Sequence, residues 1–385
     1  MKRMFAALFA VLFLSSALSV RARAAAPTLS AASAILVDGG SGRVLFSQNA
    51  DEERAIASIT KLMTALVAVE STADLSQEVT VKREYTLTEG SSMYLKVGEK
   101  LTLEDLLYGL LLVSGNDAAL AVAGFCAGDV ETFVEWMNRK AEELGMEHSH
   151  FSNPNGLSSD DHYSTAADMA KLARVVMDNE ILAKIVSTKS ITIGARSLTN
   201  HNKLLWQYEG CVGMKTGYTD KAGRTLVSSA ERDGQRLIAV TLCDPNDWRD
   251  HAALFDYGFE EWPGAMLATA GKDVRSLPVT GSLVRFVPVR TESGVSYPLG
   301  AGERVTARID LPETVKAPVE EGAIAGSLTF YMDGEPIGST YLVYSRSVKS
   351  DALEEQSLVE RILSLFRGDK TANVMAAFYP RTLQN

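Results

Sequence analysis

A serine and a lysine three residues apart, Ser58 and Lys61, could act as a nucleophile and its base. They stand where helical periodicity begins, so the lysine lies one turn after the serine on the same face. A serine hydroxyl is a weak nucleophile that needs a nearby base. A lysine can be that base only if burial or a second cation lowers its pKa. The pair therefore indicates hydrolysis through an acyl-serine. The free backbone N–H groups at the helix start would point towards the same site.

A second motif, Ser114-Gly115-Asn116, interrupts two helical segments with a tight turn. Ser114 could relay a proton, and Asn116 could orient Lys61 or hold a substrate amide. Hydroxyl and amide side chains offer both donors and acceptors for these tasks. The turn would then complete a proton-transfer network around the serine–lysine pair.

A third motif, Lys215-Thr216-Gly217, stands where the periodicity returns to that of a strand. Lys215 offers a fixed cation, Thr216 a hydroxyl for a carboxylate, and Gly217 lets a substrate backbone approach closely. A substrate strand could add along this edge. The backbone N–H groups of Ser58 and Tyr218 would form an oxyanion hole, whose donors are typically worth about 3–4 kcal/mol each.

Each motif alone has an ordinary structural explanation. Ser58 and Lys61 could be a helix cap and a solvated lysine, and the Ser114–Asn116 segment could be only a turn. Their joint occurrence is different, because each motif has the expected order and local context. This triple arrangement is found in serine β-lactamases and penicillin-binding proteins.

The chain resembles the low-molecular-mass penicillin-binding proteins of the D-alanyl-D-alanine carboxypeptidase family. The likeness covers roughly residues 28–262, and beyond the three motifs it rests on four segments: 89–93, 153–157, 162–165 and 217–219. The C-terminal region resembles that family's C-terminal domain and membrane-associating helix. The resemblance implies a peptidoglycan stem peptide ending in D-Ala-D-Ala as substrate and β-lactam antibiotics as covalent inhibitors, with no cofactor and no metal.

The resemblance also implies a role for each matching residue. The Ser58 hydroxyl would attack the penultimate D-alanine carbonyl, the terminal D-alanine would leave, and water would free the enzyme. Lys61 would be the base. Ser114 and Asn116 would complete the proton-transfer network. The terminal carboxylate of the substrate would be bound by Lys215, Thr216 and Arg249. Asn155 stands where the family often has histidine, in a segment that we expect to be structural.

Several other functions are alternatives to this one. A serine β-lactamase would need a glutamate-positioned water for deacylation, and no Glu-x-x-Leu-Asn segment lies between Asn116 and Lys215. A D,D-endopeptidase or a transacylase would form the same acyl-enzyme. A non-enzymatic wall-binding protein is a further alternative. A zinc hydrolase would have to use histidines without an H-E-x-x-H motif, namely His148, His150 and His162.

The elements that must position these motifs can be predicted from periodicity. Two alternating runs, 33–37 and 43–47, flank a glycine-rich turn and predict a hairpin. A second hairpin, 224–230 with 236–242, turns at Asp-Gly. Helices are expected over 58–67, after a capping box at Thr102, and over 117–126, 130–144 and 165–177. We therefore predict an α+β fold in which one antiparallel sheet, built from both ends, is covered by helices in a β-lactamase/transpeptidase-like arrangement.

The ends of the chain predict export. Residues 1–24 combine Lys2 and Arg3, a short apolar run and an Ala-x-Ala site, as in a secretory signal peptide. Their removal takes away four basic residues, so the formal charge falls from −10 to −14, which disfavours nucleic-acid binding. We expect an extracytoplasmic enzyme at the cell wall or the outer face of the cytoplasmic membrane.

Three regions follow the predicted signal peptide: a penicillin-binding carboxypeptidase domain at 25–262, a β-rich domain at 263–349 and a tail at 350–385. Within the tail, residues 351–367 form an amphipathic segment. This segment could contact a membrane surface or pack on the β-rich domain, and its acidic polar face leaves both options open. Nothing in the spacing of Cys126, Cys211 and Cys243 fixes a disulfide, and small buried thiols are the ordinary expectation.

Overall fold

The computed structural model describes residues 25–351. The predicted signal peptide and residues 352–385 of the predicted tail therefore lie outside the described residues. The chain divides into two compact units. The first holds residues up to Leu267 with Val295–Ala307 and Phe330–Gly338, and the second holds Ala268–Gly294, Arg308–Thr329 and the chain from Ser339 onwards.

A five-stranded antiparallel sheet forms the centre of the first unit, with the order β2-β1-β9-β8-β7. The N-terminal hairpin therefore pairs with strands from the far end of the unit, which confirms the predicted closure. Two small two-stranded sheets, β3 with β4 and β5 with β6, lie outside this sheet. The strands are β1 Ser33–Asp38, β2 Val44–Gln48, β3 Glu78–Thr80, β4 Lys100–Thr102, β5 Ser190–Ile193, β6 Arg196–Thr199, β7 Cys211–Thr219, β8 Gly223–Arg232 and β9 Gln235–Leu242.

Eight helices accompany the sheet within the described residues. Side-chain caps begin several of them, including the predicted capping box of Thr102 and Asp105 and a Thr165 cap that accepts from Asp168 N. The helices are α1 Lys61–Ser71, α2 Leu103–Leu112, α3 Asn116–Cys126, α4 Val130–Glu143, α5 Ala166–Asp178, α6 Glu180–Ser187, α7 Leu204–Gln207 and α8 Asp247–Glu261.

The first turn of the predicted Ser58 helix differs from the expectation. Residues Ala57–Thr60 form a 3₁₀ turn, and α1 begins only at Lys61. Ala57 has φ +51°, a left-handed conformation that is costly for a residue with a Cβ atom. The α-helical ladder cannot include such a residue, so the serine stands on a separate tight turn before the helix.

The hydrophobic core of the first unit lies between the sheet and the helices. Helices α2 and α3 are buried along almost their whole length, as expected for helices that are apolar on most faces. They therefore fix the turn that joins them, at Ser114 and Gly115, inside the protein. Among the described residues, no helix is both long and apolar enough to cross a membrane.

The C-terminal strands confirm the predicted strand-rich domain. They form a six-stranded sheet of order β14-β16-β17-β12-β11-β15 and a two-stranded sheet of β10 and β13. A small apolar cluster that includes Val287, Val289 and Tyr344 is buried here. The strands are β10 Gly264–Ala268, β11 Asp273–Thr280, β12 Phe286–Thr291, β13 Val295–Pro298, β14 Thr306–Asp310, β15 Val315–Lys316, β16 Ile324–Met332 and β17 Glu335–Tyr344.

The three cysteines are unpaired thiols. Cys126 and Cys211 are partly buried, and burial raises the pKa of both. Cys243 is exposed, so the expectation of a buried thiol is wrong for this residue. It follows strand β9, where the chain leaves the sheet.

Candidate active site

The Ser58 turn is held by hydrogen bonds on its buried side. Thr60 Oγ1 donates to the Ala57 carbonyl over 2.7 Å. His162 Nε2 lies 2.7 Å from the same threonine oxygen. Because Ser152 N donates to His162 Nδ1 over 3.0 Å, the neutral ring carries its proton on Nε2 and donates to Thr60. This directed chain fixes the left-handed Ala57 and thereby the position of Ser58.

Lys61 is fully buried, and its amine contacts the Ser58 hydroxyl. Lys61 Nζ lies 2.8 Å from Ser58 Oγ, 2.8 Å from Asn116 Oδ1 and 2.5 Å from the Asn155 carbonyl oxygen. Burial, followed by the charge of Lys215, lowers the Lys61 pKa well below its usual value. A neutral amine has two N–H groups for the two oxygens, and its lone pair remains for the Ser58 hydroxyl. The geometry thus suits proton transfer from serine to lysine.

The turn between α2 and α3 supplies the next pair of residues. Ser114 has φ +61° and lines the cleft, and its hydroxyl makes no hydrogen bond within residues 25–351. Asn116 is fixed on three sides, since its N–H donates to the Ser91 carbonyl over 2.7 Å and its Nδ2 to the Glu89 carbonyl over 2.6 Å. Its Oδ1 therefore faces Lys61 in one orientation. The structure brings this motif beside the serine–lysine pair.

Strand β7 carries the third motif along the edge of the sheet. Lys215 is 1% exposed, and its Nζ donates to the Thr216 carbonyl over 2.7 Å. Burial lowers the pKa of Lys215 to about 7. A Cβ atom added at Gly217 would lie 2.9 Å from Ser58 N and still closer to Thr225 Oγ1. Only glycine lets the strand pass this close to the nucleophile's amide.

Ser58, Ser114, Asn116, Thr216 and Gly217 line one open cleft of about 1000 Å³, whereas Lys61 and Lys215 are buried and do not line it. Ser58 is at its wall, and the exposed Tyr218 is at its rim. The cleft is also bounded by β6 and the segment after it, by β8 and by the start of α8. This part of the lining includes Ser197, Thr199, His201, Lys203, Trp206, Arg224, Asp247 and Trp248.

Arg249 does not line this cleft. It lines a neighbouring open cavity, its side chain is 68% exposed, and its guanidinium contacts the Asp250 carboxylate at 3.1 Å. Arg224 lines both cavities instead, but it is tied to Asp247 by hydrogen bonds of 2.7 and 2.8 Å. The structure therefore does not bring Arg249 together with the other residues, and its carboxylate-binding role stays a prediction.

The segment 152–157 also contributes to the site, a role that was not predicted from the sequence. The Asn155 carbonyl accepts from Lys61, and the Pro154 carbonyl accepts from Thr64 over 2.6 Å. Gly156 has φ +83°, and a Cβ atom there would collide with the Ala57 carbonyl. The segment is structural, as expected, but it also supplies one of the three partners of the Lys61 amine. In the sequence, the turn residues Asn-Pro-Asn-Gly at 153–156 were the feature that could have indicated this role.

Asp117 is a second missed residue. Its buried carboxylate accepts from Met93 N and Leu95 N, each over 2.9 Å, and from Ser92 Oγ over 2.6 Å. These bonds hold the segment 91–95 against the start of α3. The negative charge of Asp117 also raises the Lys61 pKa, against the larger effects of burial and Lys215.

Acidification is expected to destabilise the fold through two buried neutral histidines. Burial lowers the pKa of His162 to about 4 and that of His251 to about 3, against about 6.5 in an unfolded chain. Between pH 6.5 and 4 the unfolded chain takes up protons that the folded chain refuses. At pH 5 each histidine should lower the free energy of unfolding by about 2 kcal/mol. Urea unfolding at pH 7.5 and pH 5 measures this loss, and equal midpoints would contradict it.

The histidines considered as zinc ligands have other contacts. His148 lies 3.5 Å from Glu53, and His150 Nδ1 lies 2.5 Å from the Asp161 carbonyl. His162 belongs to the Thr60 network. Within residues 25–351, no three side chains of the metal-ligating types are grouped to hold an ion.

Comparison with known proteins places this site in a family. The family model for D-alanyl-D-alanine carboxypeptidase (peptidase family S11) matches residues 20–246. The model for the penicillin-binding protein 5 C-terminal domain matches residues 265–350. The two matches together cover almost all of the described chain.

Individual relatives agree over most of their length. The chain is 31% identical to the D-alanyl-D-alanine carboxypeptidase DacF of Bacillus subtilis over 334 residues, covering 83% of this chain and 86% of the relative. It is 34% identical to DacA of Escherichia coli K12 over 341 residues, covering 84% of each. The structure of penicillin-binding protein 5 from Haemophilus influenzae superposes with a TM-score of 0.68 at 30% identity, covering 85% of this chain and all of that chain. The chain therefore belongs to the family of serine-type D-alanyl-D-alanine carboxypeptidases.

Proposed function

We propose that this enzyme removes the terminal D-alanine from peptidoglycan stem peptides through an acyl-enzyme on Ser58. The observation that carries this assignment is the 2.8 Å contact of Ser58 Oγ with the buried amine of Lys61. Hydrolysis by the family requires an activated nucleophile, and this serine has such a base beside it, in the wall of the cleft.

The proton moves from serine to the leaving group in two steps. Lys61 Nζ takes the hydroxyl proton as Ser58 Oγ bonds to the penultimate D-alanine carbonyl carbon. When the tetrahedral intermediate collapses, the peptide C–N bond breaks and the protonated lysine returns its proton to the D-alanine amine, with Ser114 as the relay. Deacylation repeats the sequence with water in place of serine. Asn116 and the Asn155 carbonyl keep the amine oriented throughout.

Lys215, Thr216 and Tyr218 bind the substrate along β7. With a pKa of about 7, Lys215 is close to half protonated in the free enzyme at neutral pH. A substrate carboxylate nearby would favour its charged form. Binding of the terminal carboxylate is therefore coupled to proton uptake by Lys215. For Arg249 to bind the same carboxylate, its guanidinium would have to leave Asp250.

The proposal extends to inhibitors and location. A β-lactam would acylate Ser58 in the same way and deacylate slowly. Residues 1–24 would direct export, and residues 351–367 would contact the membrane surface from outside through their apolar face. Deleting residues 350–385 should release the protein from membrane fractions, and unchanged fractionation would exclude this anchor.

The substrate assignment is tested with three matched acyl peptides and the chain of residues 25–385. We expect free D-alanine from acyl-D-alanyl-D-alanine. Release of the C-terminal residue should be at least a hundredfold slower from the peptide that ends in amidated D-alanine, because Lys215 recognises the free carboxylate. It should be similarly slow from the peptide that ends in L-alanine, because the inverted Cα points that carboxylate away from Lys215. Cleavage of a cross-linked peptide without release from the linear peptide would favour an endopeptidase. Rapid turnover of penicillin would favour a β-lactamase.

Replacing Gly217 by alanine is expected to lower kcat for D-alanine release about 10²-fold, the cost of disturbing one oxyanion-hole donor. The new Cβ atom would crowd Ser58 N and Thr225. Gly264→Ala is a matched control, because its Cβ atom would make ordinary 3.5 Å contacts with the Gln235 side chain. Steady-state kinetics of both variants measure the effect. A Gly217→Ala enzyme with wild-type kcat would show that this strand does not contact the reacting centre.

A further inference from the structure

The turn between β11 and β12, residues 281–286, exposes an unusual amount of apolar surface. We call this turn the hairpin tip. Leu283 is 87% exposed, Phe286 53% and Val284 37%. Single exposed apolar side chains are ordinary, but adjacent ones in one turn mark an interaction site. Strand pairing of Pro278 with Phe286 places all three at the end of the hairpin.

Four basic residues surround the hairpin tip. Arg285 is part of it, and Lys316 lies beside it, since it pairs with Thr280 in β11. Arg346 donates to the Phe286 carbonyl over 2.9 Å, and Lys349 precedes the residues that bond to Gly281. All four are exposed, and none of them pairs with a carboxylate among residues 25–351.

Among the described residues, the carboxylate that contacts the hairpin tip is that of Asp351, and it is already hydrogen-bonded. Asp351 accepts from Ser282 Oγ over 2.8 Å and from Leu283 N over 2.7 Å, and these bonds lower its pKa. The hairpin tip is therefore locally basic in a chain whose net charge is −10. Apolar side chains ringed by lysine and arginine match the boundary between anionic headgroups and acyl chains.

The chain itself continues from this place. Asp351 N donates to the Gly281 carbonyl over 3.0 Å, so the chain from 352 onwards starts beside the hairpin tip. In sequence, that continuation carries apolar residues at helical spacing. Contact of one chain with a lipid surface through two elements strengthens binding beyond either one alone.

We propose that the hairpin tip is a membrane-insertion site, with Leu283, Val284 and Phe286 entering an anionic phospholipid bilayer. The cations Arg285, Lys316, Arg346 and Lys349 bind its headgroups. The proposal deepens the proposed location at the outer face of the membrane and rests on it. A second copy of the chain is a poorer occupant, because three side chains offer far less than the roughly 800 Å² per partner of a stable interface.

Flotation with vesicles tests the proposal on the chain of residues 25–385. Vesicles of phosphatidylcholine with one-quarter phosphatidylglycerol should bind the wild type, and pure phosphatidylcholine should bind it at least fivefold less. Leu283→Ser should weaken binding to the anionic vesicles at least fivefold. The double variant Arg285→Gln/Lys349→Gln should weaken it similarly and reduce its salt dependence. Ile324→Ser, 59% exposed in the same unit, and Arg308→Gln are the matched controls and should bind like the wild type.

Three outcomes would overturn the proposal. If Leu283→Ser bound the anionic vesicles as strongly as the wild type does, residues other than the hairpin tip would make the vesicle contact. Residues 281–286 could instead be protected from hydrogen exchange without vesicles, and lose that protection when residues 352–385 are deleted. That result would show that the tail, and not a membrane, covers the hairpin tip. A lipid-independent dimer that Leu283→Ser dissociates would make it a second copy. D-alanine release in solution should be unchanged in these variants, so failure here is distinct from failure of the proposed activity.

Discussion

Replacing Ser58 by alanine is expected to lower D-alanine release by at least about 10⁴-fold, the scale seen when a catalytic serine is removed. The variant lacks the oxygen that would carry the acyl group, while Lys61 keeps its contacts with Asn116 and Asn155. The fold should therefore survive. A coupled assay for free D-alanine measures the rate, and thermal unfolding checks that the variant is folded.

Ser197→Ala is the matched control for this variant, because Ser197 lines the same cleft. We expect it to retain activity within a fewfold of wild type. A folded Ser58→Ala enzyme that releases D-alanine at a tenth of the wild-type rate or faster would exclude Ser58 as the nucleophile.

The second large effect is expected at Lys61. Lys61→Met keeps an unbranched side chain in the buried site but removes the amine, so kcat/KM should fall by about 10²–10⁴, the usual contribution of a general base. Acylation by penicillin should slow in parallel, because the same proton transfer precedes it. Lys203→Met, at an exposed lysine that lines the same cleft, should stay near wild type.

The pH profile gives an independent check on this role. In the wild type, activity should fall on the acid side as Lys61 takes up a proton, since the protonated amine has no lone pair for the Ser58 hydroxyl. Because the Lys61 pKa is well below its usual value, this acid limb should lie well below the pH at which an ordinary lysine titrates. The acid limb assigned to Lys61 should be absent from the residual activity of Lys61→Met. Residual activity within tenfold of wild type would contradict the assignment.

The spacing of residues in the sequence predicted the proximity of Ser58, Lys61 and Asn116, and the structure brings the three side chains together. Ser58 and Lys61 are three residues apart, and the 3₁₀ turn at Ala57–Thr60 brings their side chains together as a helical turn would. The Ser114 and Lys215 motifs had recognisable local contexts, a turn between apolar helices and a strand entry. The antiparallel sheet followed from two hairpin signals at its ends.

The missed parts depend on long-range contacts. The Asn155 carbonyl acts through the backbone, which every residue has, so no residue type announces it. His162 meets Thr60 from 102 residues away, and only the fold shows that encounter. Helix α8 was not predicted, and its local geometry sends Arg249 to Asp250 rather than into the cleft. The family resemblance in sequence could not reveal this, because a side chain's direction depends on the helix that carries it.

The most direct test of the central claim is peptide-resolved mass spectrometry of the acyl-enzyme. The chain of residues 25–385 would be mixed with benzylpenicillin, quenched in acid and digested. We predict one adduct with the mass of the intact antibiotic, on the peptide that contains Ser58, stable over minutes and absent from Ser58→Ala. An adduct on any other residue, or one that also forms on Ser58→Ala, would contradict the account.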